Sequence, residues 1–234
     1  YEQAEMPIIA VSHLKVAYTG KEAHASAYPF LGVNAADALV VAQTAIGLLR
    51  QHLRAGDRVH GIVTKGGDAA NVIPAHTTGN WMVRAETLDQ LEEVRAKVAR
   101  CFEAGALATG TTLELAEDGD PYSEMRHDHD LSGLYQRNAE ALGRSFVDRS
   151  NRGAGSTDMG NVSLALPSIH PTIGIDALPA VNHQPEFAAK CVTPPADQAV
   201  FDGAVAMAWT AIDAAADETL RARLLASEPV EGGG

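Results

Sequence analysis

The sequence predicts a mixed α/β chain in two parts, a ferredoxin-like βαββαβ unit followed by a second α/β block. Three observations predict this fold class: strand-like alternation of apolar residues, apolar repeats at helical spacing, and turns rich in Gly and Pro between them. In the first part the elements follow the split βαβ order, which places two helices on one face of an antiparallel sheet. We predict this unit at residues 11–117 and the second block at 118–228, with flanking segments at 1–10 and 229–234.

The first unit opens with a strand, because Leu14, Val16 and Tyr18 alternate with other residues and Gly20 follows them. Asn34 is a suitable N-cap for a helix whose apolar residues repeat every three to four positions. In chain order, the predicted elements are strand Ser12–Thr19, helix Ala35–Leu53, strands Val59–Thr64 and Asn80–Ala85, helix Leu88–Leu107 and strand Thr111–Leu115.

The second block contains several helices and one convincing strand. We expect a helix that ends near Leu142, a strand at Ile169–Ile175 and a final helix at Ala196–Leu225. A Gly- and Ser-rich stretch at 149–156 predicts a loop, and the tail from Glu228 predicts disorder. One strand is too little sheet to bury these helices, so the block is expected to be part of an α/β domain whose other strands lie elsewhere.

Composition excludes two classes of partner. The 234 residues include 18 basic and 30 acidic ones, a net charge of −12, without a Lys/Arg-rich stretch that could bind nucleic acid or an anionic membrane. No apolar run reaches the roughly 18 residues of a membrane span and no export signal is present, so we expect a cytoplasmic protein. Cys101 and Cys191 lie in apolar helical patterns, which predicts buried free thiols in a reducing compartment.

Five short clusters contain residue types that carry chemistry. They are Gly20 to Ser26, Gly66-Gly67 with Asn71 to Pro74, Val83-Arg84, Gly155 to Asn161, and Asn182 to Phe187. In this order, around a ferredoxin-like unit, they resemble the zinc amidohydrolase and dipeptidase family, metallopeptidase family twenty. That family includes aminoacylases, carboxypeptidase G and aminobenzoyl-glutamate hydrolase. The resemblance extends from about Leu14 to Ala215 and is closest to the aminoacylase-like dipeptidase branch.

The resemblance implies a lid inserted into a catalytic α/β domain that holds two divalent metal ions, zinc or alternatively manganese or cobalt. His183 heads the stretch that matches the family's C-terminal ligand motif, and neutral imidazole is an apt zinc ligand. The remaining ligands and the general base have no counterpart here. Glu92-Glu93 lies within a predicted helix as a solvated pair, and Asp128 and Asp130 flank His129 without forming the family's motif.

The same resemblance assigns roles to three residues of the lid. It implies that His24 enters the active site of the partner subunit and donates a hydrogen bond to the oxygen that becomes negative during amide attack. Asn71 and Arg84 match the residues that bind the substrate carboxylate, which suits the planar guanidinium fork. The residues alone leave simpler alternatives: His24 as a local backbone cap, Asn71 as a turn residue, and Arg84 as an exposed strand residue paired with Glu86.

A loop in the second block is a further candidate. The family uses the loop that here contains Gly155, Ser156 and Thr157 at the substrate-binding end of its cleft. Small residues that lead into a helix start can hold an anion on backbone N–H groups. The alternatives are an ordinary loop and a helix N-cap at Asp158, just before Met159.

These inferences together predict a metal-dependent amidohydrolase or dipeptidase that cleaves an amide bond next to a free carboxylate. Its substrates would be N-acyl amino acids, dipeptides or aminobenzoyl-glutamate. The wide apolar circumference of the helix Ala35–Leu53 and a free sheet edge predict a homodimer through the lid. Because most metal ligands are missing, we expect the chain alone to be inactive and to lack an N-terminal catalytic segment; the alternative is a non-catalytic dimerisation module derived from such an enzyme.

Overall fold

The computed structural model describes residues 2–146 and 155–226. The chain divides into two compact units, one formed by Ile9–Glu124 and the other by Tyr1–Ile8 together with Met125–Gly234. The first unit encloses the range 11–117 that the sequence predicts for the lid. Residues 1–8, expected to be a flanking segment, instead group with the second unit, because Gln3 exchanges backbone hydrogen bonds with Thr172 at 3.2 and 2.9 Å. The predicted disordered tail lies outside the described residues.

The first unit is a four-stranded antiparallel sheet with two helices. Its elements are β1 (Ala10–Thr19), α1 (Ala35–Leu49), β2 (Arg58–Lys65), β3 (His76–Ala85), α2 (Leu88–Thr109) and β4 (Thr112–Glu117). The strand order in the sheet is β2-β3-β1-β4. This is the predicted βαββαβ order, and the mixed α/β fold class is confirmed. Asn34 caps α1 as expected, since its side-chain oxygen accepts from the Ala36 N–H at 2.9 Å.

Two predicted boundaries in this unit were wrong. The helix predicted to reach Leu53 ends at Leu49 and continues as a 3₁₀ turn over Arg50–His52. Strand β3 begins at His76, four residues earlier than predicted, because Gly79 interrupts the apolar alternation that marks a strand. Glycine is required there, since a Cβ at position 79 would lie 2.1 Å from the indole of Trp81.

The core of the first unit lies between one sheet face and both helices. Buried side chains of β1, β2 and β3 face those of α1 and α2, and the Trp81 and Phe102 rings meet edge to face with centroids 5.1 Å apart. The Tyr18 hydroxyl donates to the Phe102 carbonyl at 2.7 Å within this core. Gly105 lets the two helices approach closely, because a Cβ there would lie 2.5 Å from the Ala38 carbonyl oxygen. The sheet and its helices therefore form one rigid layer pair.

The second sheet face carries polar side chains, because strand residues alternate between faces. We use the term second sheet face for the side that displays His13, Lys15, His60, Met82 and Arg84. Met82 lies in register with His13 on β1 and with His60 on β2. Titratable groups from three strands are thus neighbours on this face.

The second unit is built mainly from helices. They are α3 (His129–Ala141), α4 (Met159–Ala165), α5 (Pro185–Lys190), α6 (Pro194–Ala216) and α7 (Glu218–Ala226). Tyr135 and Ala139 of α3 pack with Ala206 of α6 and with Ala4 of the N-terminal segment. An ion network supports this packing: Arg144 contacts Asp202 at 2.7 Å, and both side chains are largely buried.

The strand predicted at Ile169–Ile175 was wrong. Within the described residues this stretch forms only an isolated pairing between Thr172 and Gln3, and no extended ladder. Pro171 has no N–H to donate, which limits ladder formation at this point. The predicted single helix at Ala196–Leu225 is also two helices, because the backbone is extended at Asp217, whose carboxylate accepts from the Leu220 N–H at 2.9 Å.

Helix α6 contradicts the expectation that no apolar run is long enough to span a membrane. By length and composition this helix is apolar enough to cross a membrane, although the sequence had indicated no run of that kind; 28% of its most apolar window is buried. Its small residues Ala199 and Ala206 are buried, and α6 packs against α3.

The sequence predicts two buried thiols and a solvated pair of glutamates, and the structure agrees with only part of this. Cys101 is a buried free thiol as predicted, and burial raises its pKa. Cys191 is exposed at the end of α5, so the prediction of a buried thiol there was wrong. Glu92 and Glu93 are solvated side chains on α2, as predicted; Glu93 pairs with Arg54.

Candidate substrate-binding site

The His24 loop and the Asn71 loop are joined by backbone pairing. His24 lies between β1 and α1, and Asn71 lies between β2 and β3. The Ala25 N–H donates to the Asn71 carbonyl at 2.9 Å, the Ile73 N–H donates to the Ala23 carbonyl at 2.9 Å, and His24 bridges to Val72 in antiparallel fashion. The structure therefore brings two of the predicted site residues together at one end of the sheet.

The imidazole of His24 is exposed and has a defined local geometry. Its Nδ1 accepts backbone N–H groups from Ser26 at 3.3 Å and from Ala27 at 3.2 Å. Because Nδ1 accepts, the proton of the neutral ring lies on Nε2. The local backbone cap that the sequence left as an alternative is thus present, and it orients Nε2–H as a hydrogen-bond donor.

Arg84 lies near the end of β3 on the second sheet face. Its Nε–H donates to Nε2 of His60 on β2 at 3.2 Å, and one terminal nitrogen lies 3.9 Å from the sulfur of Met82. Arg84 is half-buried, and burial lowers the pKa of its guanidinium. A guanidinium held in this way can offer a planar fork to a carboxylate.

Within one chain, Arg84 lies far from His24 and Asn71. Strand β1 pairs Thr19 with His76 at one end of the sheet and Val11 with Arg84 at the other. The His24 loop is at the His76 end, where the Gly20 N–H donates to the Ala75 carbonyl at 2.7 Å. Eight residues separate His76 from Arg84 along β3, which at the rise of a strand is roughly 27 Å. The expectation that Asn71 and Arg84 bind one carboxylate therefore requires residues from two chains.

Gly155, Ser156 and Thr157 adjoin the N-terminal segment in the second unit. The Gly155 N–H donates to the Pro7 carbonyl at 3.2 Å, and the Thr157 hydroxyl accepts from the Met159 N–H at 3.4 Å. The alternative of an N-cap at Asp158 is not supported, since among the described residues its side chain makes no cap hydrogen bond. Helix α4 spans only seven residues and begins beside the Asp158 carboxylate, so its start is a poor anion site. Residues 147–154, which begin the predicted loop, lie outside the described residues.

His183 is exposed just before α5 and adopts a left-handed backbone with φ of 69°. This conformation is uncommon for a residue other than glycine, and strained residues of this kind concentrate at functional sites. In the part of the chain that the structure describes, no three His, Cys, Asp or Glu side chains lie together as a metal site. These residues therefore do not fit a complete centre, and the ligand role of His183 stays a prediction.

The residues around His129 have structural partners in the second unit. The Asp128 carboxylate caps α3 by accepting from the Leu131 N–H at 3.1 Å. It also accepts from both terminal nitrogens of Arg223 at 2.8 Å. His129 Nδ1 lies 2.7 Å from a Glu5 carboxylate oxygen. Asp130 adds a contact to Arg223 at 3.0 Å. This cluster stabilises the N-terminus of α3.

Sequence reasoning missed His60. It is absent from the five clusters that the sequence singles out, although its position on β2 makes it a cross-strand neighbour of Arg84. Strand parity alone could have placed both side chains on one sheet face. Their contact depends on the register, in which Arg58 pairs with Arg84 and His60 pairs with Met82.

Comparisons with known proteins identify relatives of this chain. The family model described as a peptidase dimerisation domain matches residues 11–109. The Xaa-Arg dipeptidase of Mus musculus is 38% identical over 215 residues, which is 90% of this chain and 49% of that protein. A p-aminobenzoyl-glutamate hydrolase chain from Escherichia coli (strain K12) is 33% identical over 102 residues, which is 43% of this chain and 21% of that protein.

A solved structure shows the same fold. A hydantoinase/carbamoylase family amidase from Burkholderia vietnamiensis has a TM-score of 0.64 and 14% identity, covering 90% of this chain and 49% of that one. The likeness to this structure concerns the fold, and the sequence relatives are by name a dipeptidase and a hydrolase subunit. The similarity is to metallopeptidase family twenty, in the C-terminal part that includes the dimerisation domain. The chain spans about half the length of the curated dipeptidase relatives that it matches.

Proposed function

We propose that this chain is the lid and C-terminal part of a metal-dependent amidohydrolase that cleaves an amide bond next to a free carboxylate. The observation that carries the proposal is the half-buried guanidinium of Arg84, which lies beside His60 on the second sheet face of a dimerisation domain. A fixed guanidinium is suited to a substrate carboxylate. The name of the mouse relative supports a dipeptide as substrate, and that of the bacterial relative supports an aminobenzoyl-glutamate; N-acyl amino acids share the same carboxylate.

The distance along β3 supports a site shared between two subunits. His24 and Asn71 lie at one end of the sheet and Arg84 at the other, roughly 27 Å away at the rise of a strand. A substrate of two amino acids is much shorter than this distance. In the proposed homodimer, His24 and Asn71 of one subunit therefore meet Arg84 of the other.

The first unit offers a surface for such a dimer. Strand β2 is an edge of the sheet, and Ile62 and Val63 on it are 64% and 42% exposed. On the neighbouring helix α1, Val40 and Leu48 are 60% and 72% exposed. Pairing of two β2 edges would satisfy their open backbone groups and cover these apolar side chains. The match to a peptidase dimerisation domain supports the formation of a dimer.

The chemistry proposed for these residues is electrostatic. Arg84 holds the free carboxylate, Asn71 adds a polar contact to it, and His24 donates Nε2–H to the amide oxygen as negative charge develops there. Gly155, Ser156 and Thr157 would line the substrate end of the site, and His183 would contribute one metal ligand. Since the described residues do not complete a metal centre, we expect the 234-residue chain alone to hydrolyse neither dipeptides nor N-acyl amino acids.

The non-catalytic dimerisation module is the second candidate, favoured by the lack of a three-ligand group among the described residues. Hydrolysis by a longer protein that contains this chain would separate the two candidates. Metal-stimulated hydrolysis by the 234-residue chain itself, abolished by a chelator, would contradict the proposed dependence on further ligands.

The carboxylate role of Arg84 is tested in such a longer protein with a dipeptide and the matching dipeptide amide. Arg84→Ala should lower kcat/KM for the free acid by about one to two powers of ten, the value of a charged bidentate hydrogen bond of roughly 1.5–3 kcal/mol. The amide should be affected much less. Arg84→Lys is the matched control, because it keeps the charge without the fork. Equal losses for acid and amide would contradict the assignment.

A further inference from the structure

His60 lies on the second sheet face and contacts Arg84, and the proposed function assigns no role to this contact. It lies on β2, diagonally across from Arg84 on β3, and its Nε2 is 3.2 Å from the Arg84 Nε. The guanidinium always carries protons on its nitrogens, so Nε2 of His60 must be the acceptor. The contact therefore exists only while the imidazole is neutral, with its proton on Nδ1.

The surroundings of His60 favour the neutral ring. Burial lowers the pKa of His60 from its ordinary value of 6.5, and the nearby charges of Arg84 and His13 lower it further. The other cations on this face are engaged elsewhere: Lys15 pairs with Asp118 at 2.6 Å, and Arg58 donates to the Asp57 carbonyl at 2.7 Å. A second positive charge beside Arg84 would repel the guanidinium.

We propose that His60 is a positioning residue for Arg84: its neutral ring occupies the Nε–H and so directs the terminal Nη1–Nη2 edge of the guanidinium toward the substrate carboxylate. Protonation of His60 removes the acceptor and repels Arg84, which releases the fork. This inference rests on the proposed function, since it concerns how Arg84 captures a free carboxylate. It adds a pH-dependent specificity determinant to that site.

The activity test uses His60→Leu and His60→Gln in a longer protein that contains this chain. His60→Leu removes the acceptor, and we expect kcat/KM for a free-acid dipeptide to fall about tenfold, as for one lost charged hydrogen bond, chiefly through KM. His60→Gln is the matched control, because its Oε1 can occupy the place of Nε2 and does not titrate. It should keep most of the acid-over-amide preference.

The pH dependence separates positioning from a general structural role. In the wild type, the ratio of kcat/KM for acid over amide should fall as pH is lowered below 6.5 through the depressed pKa of His60. In His60→Gln the ratio should stay flat over the same range. A flat ratio in the wild type, or an unchanged ratio in His60→Leu, would overturn the proposal while leaving the hydrolase assignment intact.

A second measurement does not depend on activity. Nitrogen-15 NMR of the 234-residue chain should show the Nδ1–H tautomer of His60, and Arg84→Gln should raise the pKa of the ring by removing the neighbouring charge. An Nε2–H tautomer, or a ring pKa that ignores Arg84→Gln, would refute the contact. If the longer protein hydrolyses nothing while the NMR signature is present, the proposed function fails and the Arg84–His60 pair stands.

Discussion

Subunit complementation tests the shared site most directly. His24→Ala removes the proposed oxyanion donor at one end of the sheet, and Arg84→Ala removes the carboxylate fork at the other. Because strand pairing places the two ends of β3 roughly 27 Å apart, we expect the two residues to reach one short substrate only from different subunits. In a mixed dimer, one active site receives the mutated form of both residues, whereas the other receives Arg84 from one subunit and His24 from its partner.

The recovered activity has a defined size. Equal mixing of freely exchanging subunits gives about one half mixed dimers, each with one of two sites restored, so about a quarter of wild-type activity is expected. The parents should be far below this level, because loss of an oxyanion donor costs on the order of 10²–10³ in kcat. Dipeptide hydrolysis is measured after exchange, in a longer protein with a differently tagged copy of each variant, and a tag pull-down shows that mixed dimers have formed.

A matched control uses His24→Ala with Asn71→Ala. Both residues lie at the same end of the sheet, joined by the Ala25–Asn71 backbone hydrogen bond, so one subunit supplies both to a given site and each site of the mixed dimer lacks one of them. This mixture should show no recovery. Recovery with Asn71→Ala, or mixed dimers of His24→Ala and Arg84→Ala that remain inactive, would refute the proposed division of the site between subunits.

Three further predictions concern metal and stability. In a metal-loaded longer protein, His183→Ala should lose metal before it loses fold, which elemental analysis and circular dichroism can separate. Asp202→Ala should destabilise the second unit by about 3 kcal/mol in urea unfolding, because it leaves the largely buried Arg144 without its 2.7 Å partner. Burial disfavours ionised Asp128, but its hydrogen bonds with Arg223 and backbone amides outweigh this and hold its pKa below 3.8. A lowered carboxyl pKa stabilises the fold above that value and less as pH falls below it, so the stability difference between wild type and Arg223→Met should shrink from pH 7 to pH 3.

The lid elements could be predicted from the sequence because each has a local signal. The alternation of β1, the Asn34 cap of α1 and the apolar stripe of α2 all depend on residues close together in the chain. The start of β3 was missed for a physical reason. Gly79 leaves room for the Trp81 ring, and because glycine has no apolar side chain it interrupts the alternation that marks a strand. Local patterns thus identify elements, whereas close packing adjusts their ends.

The second unit was harder to predict because the periodicity of a segment does not show where it pairs or where it breaks. An apolar run near Thr172 has the composition of a strand but pairs only with Gln3 in the N-terminal segment. The break between α6 and α7 depends on the single residue Asp217. Periodicity carries no information on either feature.

The candidate site likewise contains features that could be predicted from the sequence and one that could not. The His24 loop and the Asn71 loop could be found from their motifs, because each is a short contiguous stretch. The separation of both from Arg84 could be obtained by counting residues along β3 once the strand order is known. The contact of Arg84 with His60 could not, because it requires the cross-strand register, which is irregular between Val63 and Lys65.

A site divided between opposite ends of one sheet makes the sheet itself a spacer. Hydrogen-bonded strands change length little, so the distance between the His24 loop and Arg84 is fixed within each subunit. The distance from the His24 loop of one subunit to Arg84 of the other then depends on how the two lids pair through the proposed interface at the β2 edge and α1. Changes in that interface should alter how the fork and the oxyanion donor meet across the substrate, although no interface residue touches it. Dimerisation in this arrangement is therefore part of the catalytic geometry as well as a source of stability.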